Sequence, residues 1–482
     1  NDGLVKLLLL LLAFSATYTT WQATGVGEVL VKFQGNRISS LHNIKLKRPC
    51  FSIYYDNIDI PEFNSPFFKQ RTSITFSIQK NYSLESNKLA VNFFRNFIQI
   101  YNITPFTVIT IGNITCTQLE KYKVPCINIE DKHTNLDTTI STIILNLLKR
   151  SLKVTYIDID MVFLRDPRPF WNSSSNDLHV FPSSGGHSYD PGIIHAHPTK
   201  CSMELFYKHI ERLRILIEPH AHHAFNSVID FMAHHTEVHV SRLDKNSFLT
   251  GETFFVKQAR YFLKHDALFG DDVTAVLNND VLDKEKIYRL KESSLWSFDE
   301  FGYYTSASNK YLTFENLIFF EDENNTLHLE EQSLRSALAI GTILNRTVIL
   351  PEFHRHSLRC HLGCRYNVDK FESAFAGQYR EHSFLSNPKV PAAVKNSKSP
   401  WILIDSSQKC IEFLSLDDLN STAIFQPHNR THGATSTEIE SWLTPYQHFS
   451  ILQFRCLYNT FSCFTNKMED NAFNDKYVKG LV

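Results

Sequence analysis

Apolar residues along this chain recur at two spacings, and the switching between them predicts its elements. Thr72-Ser-Ile-Thr-Phe-Ser-Ile78 alternates with period two and predicts a core strand. Leu89-Ala-Val-Asn-Phe-Phe-Arg-Asn-Phe-Ile-Gln-Ile100 carries its apolar residues at helical spacing. Phe106-Thr-Val-Ile-Thr-Ile111 predicts the next strand, and Thr139-Ile-Ser-Thr-Ile-Ile-Leu-Asn-Leu-Leu148 a second helix. Lys149-Arg150 suits the negative end of that helix's dipole. A strand over Val154, Tyr156 and Ile157 follows directly, because β-forming residues run there without interruption. Strand, helix, strand, helix, strand is the order of a doubly wound α/β sheet with parallel pairing.

The pattern changes after Trp296. Residues 298–310 are polar and turn-rich, as a domain boundary is. Beyond it, the 331–345 stretch places Leu334, Ala337, Leu338, Gly341 and Leu344 on one helical face, with Asn345 as a left-handed stop. Thr347-Val-Ile-Leu-Pro351 reads as a buried strand ended by proline. The expected organisation is a signal peptide or anchor over 1–22 and a stem over 23–67. A main α/β domain over 68–297 and a smaller α/β domain over 310–482 complete it.

At 482 residues the chain exceeds one ordinary core, which agrees with two domains. Its 43% hydrophobic and 21% charged residues are those of a globular protein. A net charge of -1 without a basic block argues against nucleic acid as partner. Leu4-Val-Lys-Leu-Leu-Leu-Leu-Leu-Leu-Ala-Phe14 has the character of a secretory h-region or of part of a membrane anchor. Asn81, Asn102, Asn113, Asn172, Asn324, Asn345, Asn420 and Asn429 stand in N-x-Ser/Thr sequons, which fits luminal exposure, with Asn345, inside an apolar helix-to-strand junction, expected to stay unmodified. The expected location is therefore the Golgi lumen as a single-pass type II membrane protein, with secretion as the alternative. Nine cysteines suit an oxidising lumen. Nearness in sequence nominates Cys116–Cys126, Cys360–Cys364 and Cys456–Cys463 as bridges, and Cys201 reads as a buried free thiol.

The chemistry concentrates at the end of the Val154 strand. Asp158 and Asp160 stand two apart, a spacing that points both to one face of an extended chain. The C-terminal ends of strands are where open α/β sheets bind ligands. Two adjacent carboxylates repel, and a hard divalent cation with oxygen ligands, Mn²⁺ or Mg²⁺, resolves the conflict. Asp190-Pro-Gly192 offers a hydrogen-bond acceptor and a glycine that permits close backbone approach. His235-Thr-Glu-Val-His239 has its glutamate one place off the zinc-protease pattern, so a zinc hydrolase is rejected. His354, His356, Cys360 and Cys364 form a zinc-like set, but a disulfide is the preferred reading in a lumen.

Tyr156-Ile-Asp-Ile-Asp-Met-Val-Phe-Leu-Arg-Asp-Pro167 resembles the signature of the nucleotide-diphospho-sugar transferase family. That is the type-A glycosyltransferase group of plant arabinosyltransferases and rhamnogalacturonan xylosyltransferases. Asp190-Pro-Gly-Ile-Ile-His-Ala-His-Pro-Thr199, Ala224-Phe-Asn226, Phe248-Leu-Thr-Gly251, His265-Asp-Ala-Leu-Phe-Gly270 and Leu290-Lys-Glu-Ser-Ser-Leu-Trp296 follow in the family's order. The resemblance implies a type-A, Rossmann-like fold and a metal held by Asp158, Asp160 and His265. It implies donor contacts from Asp158, Asp160, Gly192, Asn226, Gly251 and Gly270, with Asp190 near the reacting sugar. The implied donor is a nucleotide sugar, a UDP-sugar by expectation. The implied acceptor is a glycan or glycoprotein hydroxyl, with retention of anomeric configuration. His222-His223 departs from the family, whose members have Asp-Gln there, so one of these imidazoles is expected to take the place of a catalytic carboxylate. A silent relative that binds nucleotide or glycan is the rival reading.

Overall fold

A computed structural model describes residues 47–51, 72–79, 84–101, 106–111, 126–129, 136–171, 176–183, 188–215, 221–256, 272–315, 323–355, 358–360, 362–404, 416–428, 433–457, 464 and 466–481. The first half builds a seven-stranded sheet. Strand β1 (Ser73–Gln79), helix α1 (Leu84–Tyr101), β2 (Phe106–Ile111), β3 (Cys126–Ile129), helix α2 (Leu136–Lys149) and β4 (Lys153–Ile157) follow the predicted order. β1 pairs in parallel with both β2 and β4, and β2 with β3. Ile74, Phe76 and Ile78 are buried, as the period of two requires. Residues 138–148 of α2 are buried without exception, because the helix lies beneath later helices as well as on the sheet.

The chain then leaves the parallel scheme. Short strand β5 (Met161–Phe163) belongs to a second, three-stranded sheet. β6 (Leu178–Pro182) and β7 (Tyr189–Ala196) form an antiparallel pair, and β7 lies antiparallel beside β4. Helices α3 (Lys200–Ile215) and α4 (Ala221–His235) lead to β8 (Val240–Arg242) at the sheet's edge. β9 (Phe248–Thr250) and β10 (Ala275–Leu277) complete the small sheet with β5. Helix α5 (Asp283–Glu292) follows.

Residues 47–51 are fastened to this half. Arg48 reaches buried Glu204 at 2.6 Å and pairs through its backbone with Thr236, and Cys50 is bonded to Cys201. The free-thiol expectation for Cys201 is thus overturned. Its partner lies 151 residues away, beyond any reading based on nearness in sequence. Cys126 and Cys456 are disulfide-bonded as well. Cys116, Cys463 and the side chains of Cys360 and Cys364 lie outside the described residues.

The second half is wholly parallel in its main sheet. β11 (Tyr311–Phe314), helix α6 (Glu323–Ile343) and β12 (Thr347–Ile349) come first, then a hairpin of β13 (Phe353–Arg355) and β14 (Leu358–Cys360). Helix α7 (Val368–Phe375), β15 (Tyr379–Arg380), β16 (Lys398–Ile404), β17 (Thr422–Phe425), helix α8 (Ser436–Leu443), β18 (Ile451–Arg455) and helix α9 (Lys467–Leu481) follow. The strand order is β15-β12-β11-β18-β16-β17. Asn345 stops α6 at φ 51°, as its position predicted. The 298–310 stretch is less polar in effect than its composition suggests. Phe298 and Tyr304 are buried in one core with Phe93 and Leu290 from the first half and Phe384 and Ile451 from the second. The expected α/β class with parallel sheets is borne out in both halves.

Candidate functional site

The site lies at the C-terminal end of β4, where β7 and β10 converge on it. β4 ends at Ile157, so Asp158 and Asp160 occupy a turn and not a continuing strand. The alternation argument therefore fails, although the location holds. Asp158 accepts a hydrogen bond from the Asp160 backbone N–H at 2.9 Å, the Asx-turn geometry favoured by aspartate. The Asp158 N–H donates to the Gly192 carbonyl at 2.8 Å, which ties the turn to β7. The Asn278 N–H donates to the Asp160 carbonyl at 3.0 Å, which ties it to the end of β10.

A cavity of about 160 Å³ opens beside the turn, and Asp137, Asp158, Asp190 and Asp280 are on its wall with Gly192 and Asn279. Asp190 is held by local bonds. Its Oδ1 accepts from the Gly192 N–H at 2.9 Å and its Oδ2 from the Asn279 amide at 3.2 Å. Asn226 is not on that wall. It grips the Tyr189 backbone instead, accepting from its N–H at 2.7 Å and donating to its carbonyl at 2.9 Å, and so fixes the start of β7. A Cβ on Gly192 would meet the Leu277 methyls at 2.7 and 2.9 Å. Gly251 is buried off the wall, where a Cβ would lie 3.0 Å from the Leu277 carbonyl. The His223 side chain is exposed at the start of α4. The His222 side chain, His265 and Gly270 lie outside the described residues.

Electrostatics mark the same place. Burial, followed by the charge of Asp158, raises the Asp160 carboxyl to about 7, against the opposing pull of Lys286. The Lys286 ammonium, on α5, stands 2.6 Å from Asp160 and 3.4 Å from Asp283. Buried Tyr156 beneath is pushed well above the ordinary phenol range, first by burial and then by the charges of Asp158, Asp137, Asp160 and Asp190. Among the described residues, no three His, Cys, Asp or Glu side chains converge as a metal site. Asp158 and Asp160 supply two carboxylates, and the net field around them is negative. That suits a cation, and Lys286 provides one positive charge already.

Sequence reasoning missed Asp137, Asn279, Asp280 and Lys286. Asp283-Lys-Glu-Lys286 reads as a solvated charge run, and only tertiary packing turns Lys286 inward.

Residues 103–290 match the model of the family described as nucleotide-diphospho-sugar transferase. The chain is 22% identical to arabinosyltransferase XEG113 of Arabidopsis thaliana, with 67% of this chain and 59% of that protein covered. The match therefore spans less than two thirds of that relative. Among solved structures, the glycosyltransferase GlyE of Streptococcus pneumoniae is 12% identical, with 78% of this chain and 99% of GlyE covered at a TM-score of 0.32. Mouse xyloside xylosyltransferase 1 is 8% identical, with 43% and 97% covered at a TM-score of 0.28. Scores this low carry no weight, and the fold rests on the strand order itself. The resemblance read from the sequence blocks agrees with the first two findings: residues 103–290 match the nucleotide-diphospho-sugar transferase model, and the chain is similar to a plant arabinosyltransferase.

Proposed function

We propose that the chain transfers a sugar from a nucleotide diphosphate, a UDP-sugar first among them, to the hydroxyl of a glycan or glycoprotein, with retention of configuration. One observation carries this reading: Asp137, Asp158, Asp190 and Asp280 converge on a single cavity at the C-terminal end of a parallel strand. A surface so acidic repels a diphosphate unless cations intervene. Asp158 and Asp160 would hold Mn²⁺ or Mg²⁺, with His265 completing the set. Such an ion supplies Lewis-acid stabilisation of a departing diphosphate. Lys286 adds a fixed positive charge next to Asp160. Asp190, aimed by Asn279, accepts hydrogen bonds from sugar hydroxyls, and the Asp158 turn and β7 are kept in register by the bond to Gly192. The sequons, the cysteines and the apolar run at residues 4–14 support a luminal setting, in the Golgi behind an N-terminal anchor or after secretion.

The rival reading is a silent binder of nucleotide or glycan. Lys286 favours it, because a salt bridge to Asp160 competes with a metal ion for that carboxylate. A screen of common nucleotide sugars with Mn²⁺, which scores hydrolysis and transfer separately, decides between the two. Turnover of one donor that is lost in Asp158→Asn supports transfer. Nucleotide binding without turnover of any donor supports the binder.

A further inference from the structure

A second cavity, of about 590 Å³, lies between α5 and the edge of the second sheet at β15. That volume is in the range of small-molecule sites. Its wall combines aromatic rings with charge: Tyr288, Trp296, Phe301 and Tyr303 stand with Lys291 and Arg380. The Lys291 ammonium lies 3.8 Å from the centre of the Tyr303 ring, and the Arg380 guanidinium 4.0 Å from it. The two cations thus flank one ring. Arg380 is 7% exposed. Its Nη1 donates to the Tyr379 carbonyl at 2.8 Å, and its Nε–H has no partner among the described residues.

The neighbouring carboxylates are already engaged. Glu381 accepts from the Tyr303 hydroxyl at 2.6 Å and from the Tyr304 hydroxyl at 3.3 Å. Glu372 accepts from the Tyr379 hydroxyl at 2.5 Å, and Glu300 pairs with Lys88 at 2.7 Å. Neither Lys291 nor Arg380 has a carboxylate ion pair among the described residues. Glu381 and Glu372 act on Lys291 through their charge without a direct ion pair, and the buried Arg380 Nε–H left without a hydrogen bond is costly. An anionic group removes that cost, and a planar guanidinium donor suits a carboxylate. The exposed Phe301, at φ 52°, adds an apolar face at the mouth. Flat aromatic surfaces beside hydrogen-bonding charge match a pyranose ring with one acidic substituent.

We propose that this seam cavity binds an acidic saccharide, its anionic group between Lys291 and Arg380 and its ring on the aromatic wall. The site is separate from the Asp158 cavity and stands whether or not the chain transfers sugar. The two cavities share none of their lining residues.

Ligand-observed NMR and calorimetry on the full chain test the proposal with sodium glucuronate, glucose and sodium acetate as probes. Glucuronate is expected to bind, with glucose and acetate each at least about tenfold weaker, since one lacks the charge and the other the ring. Saturating UDP should leave glucuronate bound. Lys291→Met, which keeps the side chain's length, should weaken glucuronate at least about tenfold without changing the circular dichroism spectrum. Arg380→Lys serves as the second variant and should weaken it as well. The proposal is overturned if glucuronate fails to bind wild type, if acetate binds as well as glucuronate, if UDP displaces it, or if a folded Lys291→Met chain binds it unchanged.

Discussion

The two sheets treat the C-terminal ends of their strands in opposite ways. In the first, Asp137, Asp158, Asp190 and Asp280 crowd one cavity, and Lys286 pairs directly with Asp160 and Asp283 beside it. In the second, Arg455 at the end of β18 stands 3.2 Å from Glu315 and 2.7 Å from Asp418, so one guanidinium ties both carboxylates. The difference arises in topology. β7 returns antiparallel against β4 and carries Asp190 to the end of that strand. The second sheet is parallel throughout. A strand end whose carboxylates line a cavity is suited to binding; one whose carboxylates are tied to a guanidinium is suited to holding the sheet.

The largest expected effect tests that contrast directly. Asp160→Asn should weaken UDP binding in the presence of Mn²⁺ by about 100-fold, while Asp418→Asn leaves it within about twofold. Calorimetry measures both, and equal losses would erase the distinction between the two ends.

Next comes the fastening of the first half. Cys201→Ser frees the segment around Cys50, and loss of a cross-link over so long a loop should cost about 3 kcal/mol. Urea unfolding measures it, and an unchanged midpoint would show that residues 47–51 add nothing to the sheet beside them.

Glycines sharpen the comparison further. A Cβ on Gly341 would meet the Arg346 carbonyl at 2.8 Å, a backbone atom that cannot yield. Gly341→Ala should therefore cost about 2 kcal/mol. On Gly192 the obstacles are the Leu277 methyls, the far end of a side chain and not backbone, and Gly192→Ala should cost about 1 kcal/mol or less.

A modest effect belongs to α8. Burial works to raise Glu438, but hydrogen bonds from His428 and Thr435 outweigh it and hold the carboxyl at about 2. A depressed folded pKa adds stability above the ordinary value of 4.5, and this is lost as pH falls towards 2. Glu438→Gln should lose about 1 kcal/mol at neutral pH and show a flatter acid limb in denaturant titrations.

What was legible in the sequence was whatever depends on neighbours in the chain. The β1 alternation, the apolar run within α2 and the left-handed Asn345 are local, and each was readable. So was the place of Asp158 and Asp160 beyond β4, though the turn that holds them there was not, because a hydrogen bond from Asp160 to Asp158 competes with extension of the strand. The Cys50–Cys201 bond, the inward turn of Lys286 and the buried Phe298 and Tyr304 depend on partners far along the chain. No periodicity reports such contacts.

Helix α5 serves two masters from a single register. Lys286 reaches Asp160, with Asp283 paired to it, whereas Lys284, Ile287 and Lys291 line the seam cavity. Point substitutions can therefore alter one cavity and spare the other. A change of length cannot. One residue inserted after Glu285 rotates everything beyond it by about 100°, so Lys286 leaves Asp160 and Lys291 leaves Tyr303 in the same step. Drift in this segment is consequently confined to replacement, with insertion and deletion closed to it.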